Sequence, residues 1–292
     1  MIYNEINSNK RKSYFLIFLF LIIIALIGYA AGIYYGNRYA GLIIALVVSI
    51  IYCLIAFYSG DKMVLGLNKA IEAKKQDHPF YVNTVEGISI AAGINTPKAY
   101  VINDEAINAF ATGRDPEHAS ITVTTGALKK LNRSELEGVI SHEISHIKNY
   151  DIRLMMLVVI LVGIIILLSH FFLRSMWFGK GGSKKDSGGL GVILLVVGII
   201  LAIFAPLIAQ LIKLAVSRKR EFLADASGAL LTRHPQGLAD ALKKIKEDPN
   251  KLKIASKATE HLYIANPFKN KGKIMFSTHP NVDERIKRLE GM

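Results

Sequence analysis

Residues 132–151 have the sequence NRSELEGVISHEISHIKNYD, and their apolar residues recur with the three- to four-residue spacing of a helix. Ser134 is a good N-cap residue, and Glu137 follows three positions later, which predicts a capping box at the start of this helix. The helix is expected to run to about Asp151. Because no Pro or Gly cluster follows, it is also expected to continue into the apolar segment beyond.

The same helix contains the pattern H-E-x-x-H at His142, Glu143 and His146. The two histidines are one helical turn apart, so both imidazoles can reach one metal ion. Glu143 lies roughly 100° further around the helix. From there it can take a proton from a metal-bound water without binding the metal itself. The pattern therefore predicts a catalytic metal site on this helix.

A catalytic zinc site uses three protein ligands and one open position, so a third ligand must come from elsewhere in the chain. Glu221 and Asp225 are one helical turn apart and face the same way. Glu221 would complete a set of two imidazoles and a carboxylate, which suits zinc. Asp225 could accept a hydrogen bond from a ligand imidazole. The alternative is that both are solvated acids paired with Arg218 and Lys219, as is common on surface helices.

Long apolar runs contain many of the hydrophobic residues, which make up 51% of the 292-residue chain. Runs of about twenty apolar residues predict membrane-spanning helices. Four spans are expected, at 14–36, 39–58, 154–172 and 190–214. The net charge of +13 comes with basic residues beside these runs and without a nucleic-acid motif, which favours a lipid partner and excludes nucleic acid. The single cysteine, Cys53, excludes an intramolecular disulfide and a cysteine-based metal site.

The spans divide the chain into five regions. We expect an N-terminal tail at 1–13, a helical hairpin at 14–59, the first part of a metal-binding domain at 60–153, spans three and four at 154–214 with a glycine-rich loop at 174–189, and the second part of the domain at 215–292. Basic residues beside spans one and four place the tail and both parts of the domain in the cytoplasm. The basic loop between spans three and four is a signal against this topology. Short β-branched segments predict strands at 99–102 and 121–125.

The H-E-x-x-H helix beside a membrane span, the later segment R-E-x-x-A-D at 220–225 and the four-span layout resemble the HtpX-type membrane proteases, which are related to the CAAX-processing membrane proteases. The likeness covers nearly the whole chain. It implies an α-helical integral membrane protein with an α+β, zincin-like (gluzincin-type) protease domain in the cytoplasm. It also implies that His142, His146 and Glu221 bind zinc, that Glu143 is the catalytic base and that Asp225 supports a ligand imidazole.

The segment Asn108–Gly113 is similar to an edge strand that lines the substrate cleft in this family. The similarity implies that Asn108, Ala109, Phe110 and Ala111 bind an extended substrate, which would add to the strand by backbone pairing.

The segment 277–280 is similar to a late Thr-His-Pro segment of the family. The similarity implies that His279 stabilises the oxyanion of the tetrahedral intermediate and that Arg285 assists or positions it. Asn281 departs from the family pattern, which more often has a second proline there, and this puts the local turn in doubt.

The function implied by the resemblance is that of a zinc endopeptidase, with one zinc per chain, in the cell's inner or plasma membrane. It would act in stress response and quality control, with unfolded or damaged membrane proteins as substrates and the lipid bilayer and other membrane quality-control proteases as partners. Two alternatives stay open: a processing peptidase of narrow specificity, and a non-enzymatic scaffold stabilised by zinc. Glu143 favours an enzyme, because a structural zinc site needs no base and usually closes with a fourth protein ligand.

Overall fold

The computed structural model describes residues 2–34, 36–161, 218–253, 259–266 and 280–292. Predicted span four, the glycine-rich loop, most of span three and His279 lie outside these residues.

Two long helices form the N-terminal hairpin, α1 (Ile2–Tyr34) and α2 (Arg38–Leu67). Each contains a stretch long and apolar enough to cross a membrane, Ile6–Tyr29 and Arg38–Leu67. Asn37 begins α2, because its side chain accepts a hydrogen bond from the backbone N–H of Ala40 at 3.0 Å. The polar residues at 1–13, expected as a tail, belong from Ile2 onward to α1.

Small residues let the two helices of the hairpin approach closely. A Cβ atom on Gly28 would lie 2.1 Å from the Cβ of Ala45, and one on Gly41 would lie 2.6 Å from the Cα of Gly32. No side chain fits in these positions. Close backbone packing therefore contributes to the hairpin, and such packing matters most where lipid removes the hydrophobic gain of association.

A four-stranded sheet follows the hairpin, with β1 (Ile71–Glu72), β2 (Lys98–Ile102), β3 (Ala109–Gly113) and β4 (Ala119–Thr124). The spatial order is β1-β2-β4-β3, with β4 parallel to β2 and antiparallel to β3. The strands predicted at 99–102 and 121–125 are thus confirmed as β2 and β4. Strand β4 ends one residue early because Thr124 caps the next helix. Strand β3 lies at the edge of the sheet.

The remaining helices are α3 (Pro79–Ala92), α4 (Thr125–Lys130), α5 (Arg133–Lys148), α6 (151–161), α7 (Arg218–Thr232), α8 (Pro235–Glu247) and α9 (Val282–Glu290). Two short 3-10 turns lie at Pro116–His118 and Glu260–Leu262. Helix α5 is central, since it packs against the sheet and against α3, α7 and α8, and residues 138–147 are all buried. A buried helix that carries ionisable side chains must give them partners, because an unpaired buried charge is costly.

The capping box of α5 is displaced from its predicted position. Asn132, not Ser134, is the N-cap: its Oδ1 accepts from the N–H of Glu135 at 3.0 Å, and Glu135 Oε2 accepts from the N–H of Asn132 at 2.7 Å. The prediction of Ser134 with Glu137 was wrong because Asn132 offers the same spacing two residues earlier, with an equally good capping side chain.

Helix α5 does not run on to Asp151 as predicted. It ends at Lys148, and Tyr150 adopts a left-handed backbone conformation with φ 59° before α6 begins. A non-glycine residue in this region is uncommon and marks a sharp change of direction. The polar helix therefore ends before the third apolar run, and residues 151–161 form a separate helix.

Helix α6 connects the domain to the hairpin. Its apolar residues Leu154, Val158 and Leu161 are buried against Leu16 and Phe20 of α1. Burying these side chains contributes roughly 1.5–3 kcal/mol each where they would otherwise face water. The start of the third apolar run thus packs on the first two helices.

Candidate metal centre

Three potential metal ligands converge in the buried interior of the domain. Helix α5 contributes His142 and His146 from adjacent turns, and α7 contributes Glu221 from its first turn. The Nε2 atoms of the two histidines are 3.1 Å apart. His142 Nε2 lies 3.6 Å from Glu221 Oε2, and His146 Nε2 lies 3.6 Å from the other carboxylate oxygen, Oε1. The arrangement provides one ligand atom from each residue, and all three side chains are buried.

These separations fit a tetrahedral zinc ion. With zinc–ligand bonds of about 2.0–2.2 Å, two ligand atoms at the tetrahedral angle lie about 3.3–3.6 Å apart. Two imidazoles and one carboxylate leave a fourth position for water or substrate, as catalytic zinc sites do. The surface-acid alternative for Glu221 and Asp225 does not match the structure, because both are buried.

A glycine on α7 allows this convergence. A Cβ atom on Gly228 would lie 3.0 Å from the backbone nitrogen of His142 and from Ser141 Oγ. Helices α5 and α7 therefore touch closely near His142. Glu221 lies two turns before Gly228 on the same face of α7, which directs it toward the histidines.

Glu143 lies beside the three ligands. Its side chain is buried, and its Oε1 atom has no hydrogen-bond partner among the described residues. Burial raises the pKa of its carboxyl group above the usual range, although the nearby His142 and His146 oppose the shift. A buried oxygen without a partner is costly, so it indicates a group that the site is built to receive. A water at the open metal position would supply that partner.

Asp225 fixes the orientation of His142. Its Oδ1 atom lies 2.9 Å from His142 Nδ1. Burial opposes ionisation of Asp225, but the charge of Arg285 and the hydrogen bonds from His142 and Arg285 outweigh it and lower its pKa to about 2. The ionised carboxylate keeps the imidazole proton on Nδ1 and leaves Nε2 for the metal.

Asp151 has the same relation to His146, a role that was not predicted from the sequence. Its Oδ2 atom lies 2.9 Å from His146 Nδ1, and both side chains are buried. The left-handed turn at Tyr150 brings Asp151 back under the last turn of α5. The signal in the sequence was an aspartate five residues after the second histidine. In the unbroken helix that we predicted, that position does not face His146.

Arg285, which was expected to assist or position His279, lies behind Asp225 and makes internal contacts. Its side chain is fully buried, and it donates to Asp225 from Nε at 2.8 Å and from Nη2 at 2.7 Å. Its Nη1 atom donates to the carbonyl of Ile264 at 2.8 Å. Arg285 thus positions Asp225 and, through it, His142.

Asn108 is also committed to internal contacts. Its Nδ2 donates to the carbonyl of Ala265 at 3.2 Å, and its Oδ1 accepts from the N–H of Ala109 at 3.0 Å. The carbonyl of Ala109 accepts from the N–H of Ile264 at 2.9 Å. Asn108 therefore ties β3 to residues 264–265. Phe110 and Ala111 are buried as well.

Comparison with known proteins identifies relatives of the whole chain. The model of peptidase family M48 matches residues 81–292. A protease HtpX homolog of Caldanaerobacter subterraneus subsp. tengcongensis is 47% identical, over 98% of this chain and 96% of its own length. The protease HtpX homolog of Lactobacillus helveticus is 45% identical over 100% of both chains.

A solved structure shares the fold at low sequence identity. The crystal structure of S. mikatae Ste24p aligns with 94% of this chain and 62% of its own, with a TM-score of 0.50 and 17% identity. That likeness concerns the fold alone. The motif, the converging ligands and the full-length relatives lead to one conclusion: the chain belongs to peptidase family M48 and is a membrane metalloprotease.

Proposed function

We propose that the chain is a zinc-dependent endopeptidase that cleaves unfolded or damaged membrane proteins in their cytosolic segments. One observation carries this proposal: the unpartnered, buried Oε1 atom of Glu143 lies beside three convergent ligands that leave a coordination position open. A zinc ion with a purely structural role would need neither a base nor an open position.

The chemistry follows from these side chains. Zinc held by His142, His146 and Glu221 would polarise the scissile carbonyl and acidify a bound water. With such an ion bound, Glu143 would accept a proton from the attacking water and deliver it to the departing amine. Burial raises the pKa of Glu143 above the ordinary carboxyl value, which favours its role in accepting and then releasing a proton. His279 is proposed as the donor to the oxyanion.

The substrate is proposed to lie along the outer edge of β3. The N–H of Thr124 donates to the carbonyl of Asn108, so residue 108 forms a hydrogen-bonded pair with β4. Backbone N–H and C=O groups alternate along an antiparallel strand, so those of 108, 110 and 112 point toward β4 and those of 109, 111 and 113 point outward. Ala109 is already engaged by Ile264, so Ala111 and Gly113 are the proposed pairing positions. An extended substrate would add there as a further strand.

The proposed protease domain is zincin-like, lies in the cytoplasm of a cell with an inner or plasma membrane, and belongs to a chain that crosses the membrane four times. The contact between Asn9 and Asp151 supports this orientation, because it places the basic N-terminal end of α1 at the same side as the metal centre. Cytosolic loops and exposed ends of membrane proteins would then reach the site from the bilayer surface. Other membrane quality-control proteases are proposed partners.

The test measures zinc content and proteolysis together on the full chain purified in detergent. Wild type, Glu143→Gln and Glu221→Ala are compared on an unfolded, casein-like substrate. We expect one zinc per wild-type chain, loss of cleavage in both variants, and weakened zinc binding only in Glu221→Ala.

Two outcomes would reject parts of the proposal. Zinc bound normally by all three chains, with no cleavage by any, would point to a zinc-stabilised scaffold. Cleavage at one fixed position, found by mapping the products, would point to a processing peptidase in place of a quality-control enzyme.

A further inference from the structure

Asn9, in the N-terminal part of α1, contacts residues that lie next to the metal centre. It is fully buried, although it belongs to the polar stretch before the first apolar run. Its Nδ2 atom donates to Asp151 Oδ1 at 2.6 Å and to the carbonyl of Asn149 at 3.0 Å. Its Oδ1 atom accepts from Arg220 Nη1 at 3.2 Å. This one amide bonds with residues that are 140 to 211 positions away in the sequence.

Two of these partners, Asp151 and Arg220, adjoin a proposed metal ligand. Asp151 uses its other carboxylate oxygen for His146 Nδ1, at 2.9 Å. Arg220 directly precedes Glu221 in α7, and its Nε atom also lies 3.6 Å from Asp151 Oδ1. Asn9 therefore binds the oxygen of Asp151 that does not contact His146. It also links Asp151 to Arg220, in the first turn of α7, which carries Glu221.

We propose that Asn9 is a positioning residue of the metal centre: by fixing Asp151, it holds His146 in the geometry that binds zinc. The inference rests on the zinc site proposed above. Hydrogen-bond partners of ligand histidines commonly change metal affinity 10- to 100-fold, and Asn9 is one contact further out, so its removal is expected to weaken zinc binding about threefold to tenfold.

A simpler role for Asn9 is to anchor the start of α1 by filling a buried polar position. A buried amide whose hydrogen bonds are all made would stabilise the fold without affecting the metal. The two roles differ in one respect. Positioning acts through Asp151, so the effect on zinc disappears once Asp151 is removed, whereas anchoring does not depend on it.

The experiment measures zinc affinity of the full chain in detergent, stripped of metal and titrated with Zn²⁺ against a fluorescent chelator. The variants are Asn9→Ala, Asp151→Ala and the double variant. Asn7→Ala is the matched control, since Asn7 is the same residue type two positions earlier in the same helix, and its side chain is exposed. We expect Asn9→Ala to weaken zinc binding about threefold to tenfold, Asn7→Ala to leave it unchanged, and Asn9→Ala to add nothing in the Asp151→Ala background.

Several results would overturn the inference. Asn9→Ala with wild-type zinc affinity would do so, as would an equal loss in the presence and absence of Asp151. If Asn9→Ala does not fold, Asn9→Asp takes its place, because it keeps the size and the acceptor for Arg220 but removes both donors; unchanged affinity in that variant would be equally decisive. A wild-type chain that binds no zinc would overturn both the proposed function and this inference. A wild-type chain that binds zinc, with no change in Asn9→Ala, would overturn this inference alone.

Discussion

The residues of the proposed metal centre differ in how far they could be predicted from the sequence. His142 and His146 could be found from their spacing, because a helix of regular geometry puts positions i and i+4 on one face. Glu221 needed a second helix, and its spacing from Asp225 supplied the clue. Asp151 could not be found, because its position depends on the left-handed conformation of Tyr150, which no residue type at that position signals.

The protonation of His142 gives a prediction at this scale. Burial lowers its pKa, but hydrogen bonds to Asp225 and Glu221 outweigh burial and raise the pKa to about 9 in the metal-free chain. Zinc binds neutral imidazole, so at pH 7.5 it must displace this proton. Titration calorimetry in buffers of different ionisation enthalpy should therefore show proton release from His142 at pH 7.5 that is absent at pH 10.

The raised pKa of His142 also predicts how the stability of the metal-free chain changes with pH. A histidine whose pKa is raised on folding stabilises the metal-free chain fully below its unfolded pKa, near 6.5, and this contribution is lost as the pH rises through about 9. Thermal unfolding of the chelator-treated protein should therefore fall in midpoint over this range. Equal proton release at pH 7.5 and pH 10, with no such fall, would contradict the assignment.

At the scale of elements, helix ends were harder to predict than helix existence. Residues 132–151 were predicted as a helix, and most of them form α5. Its start was misplaced by two residues, since Asn132 and Ser134 both satisfy the capping rule, and only the backbone decides between them.

The two capping candidates can be separated by mutation. Asn132→Ala removes the side chain that accepts from Glu135 N–H, and should destabilise the protein by about 1 kcal/mol. Ser134→Ala is the matched control and should have little effect, since Ser134 Oγ only donates to Asn132 Oδ1. Thermal unfolding in detergent measures both. A larger loss from Ser134→Ala would restore the original prediction.

The contact between α5 and α8 makes a second prediction for elements. A Cβ atom on Gly138 would lie 2.6 Å from the backbone nitrogen of Leu238. Gly138→Ala should therefore force the helices apart and destabilise the protein by about 1–3 kcal/mol, the usual result of overpacking.

Gly87→Ala in α3 is the control for that experiment. No atom lies within 4 Å of a Cβ added there, so alanine should stabilise the helix by up to about 1 kcal/mol through its better helix propensity. Denaturant unfolding of both variants gives the signs. A stabilising Gly138→Ala would show that α5 and α8 can separate without loss.

At the scale of the whole molecule, the hairpin and the order of the mixed domain followed from the sequence, because apolar runs and β-branched segments have strong signatures. The contacts between distant segments did not follow from it. Asn9 with Asp151 and Arg285 with Asp225 join parts of the chain whose proximity only the folded structure reveals.

The arrangement of hairpin and domain predicts a labelling pattern. The turn at Asn37 and the start of β1 lie at opposite ends of α2. In a Cys53→Ala background, a membrane-impermeant maleimide added to spheroplasts should label Arg38→Cys and should reach Gln76→Cys only after lysis. The opposite pattern would place the metal centre outside the cell.

The residues of the proposed site are far apart in the sequence, so the ribosome makes them at different times. His146 and Arg285 are 139 residues apart (285 minus 146), and Glu221 lies between them. At a synthesis rate of 5–20 residues per second, roughly 7 to 28 s pass between the two residues at the ribosome. During that interval the histidines already exist, but the third ligand and the arginine that steadies Asp225 are still being made. A nascent copy of this chain therefore lacks a complete proposed metal centre until Glu221 and Arg285 have been made.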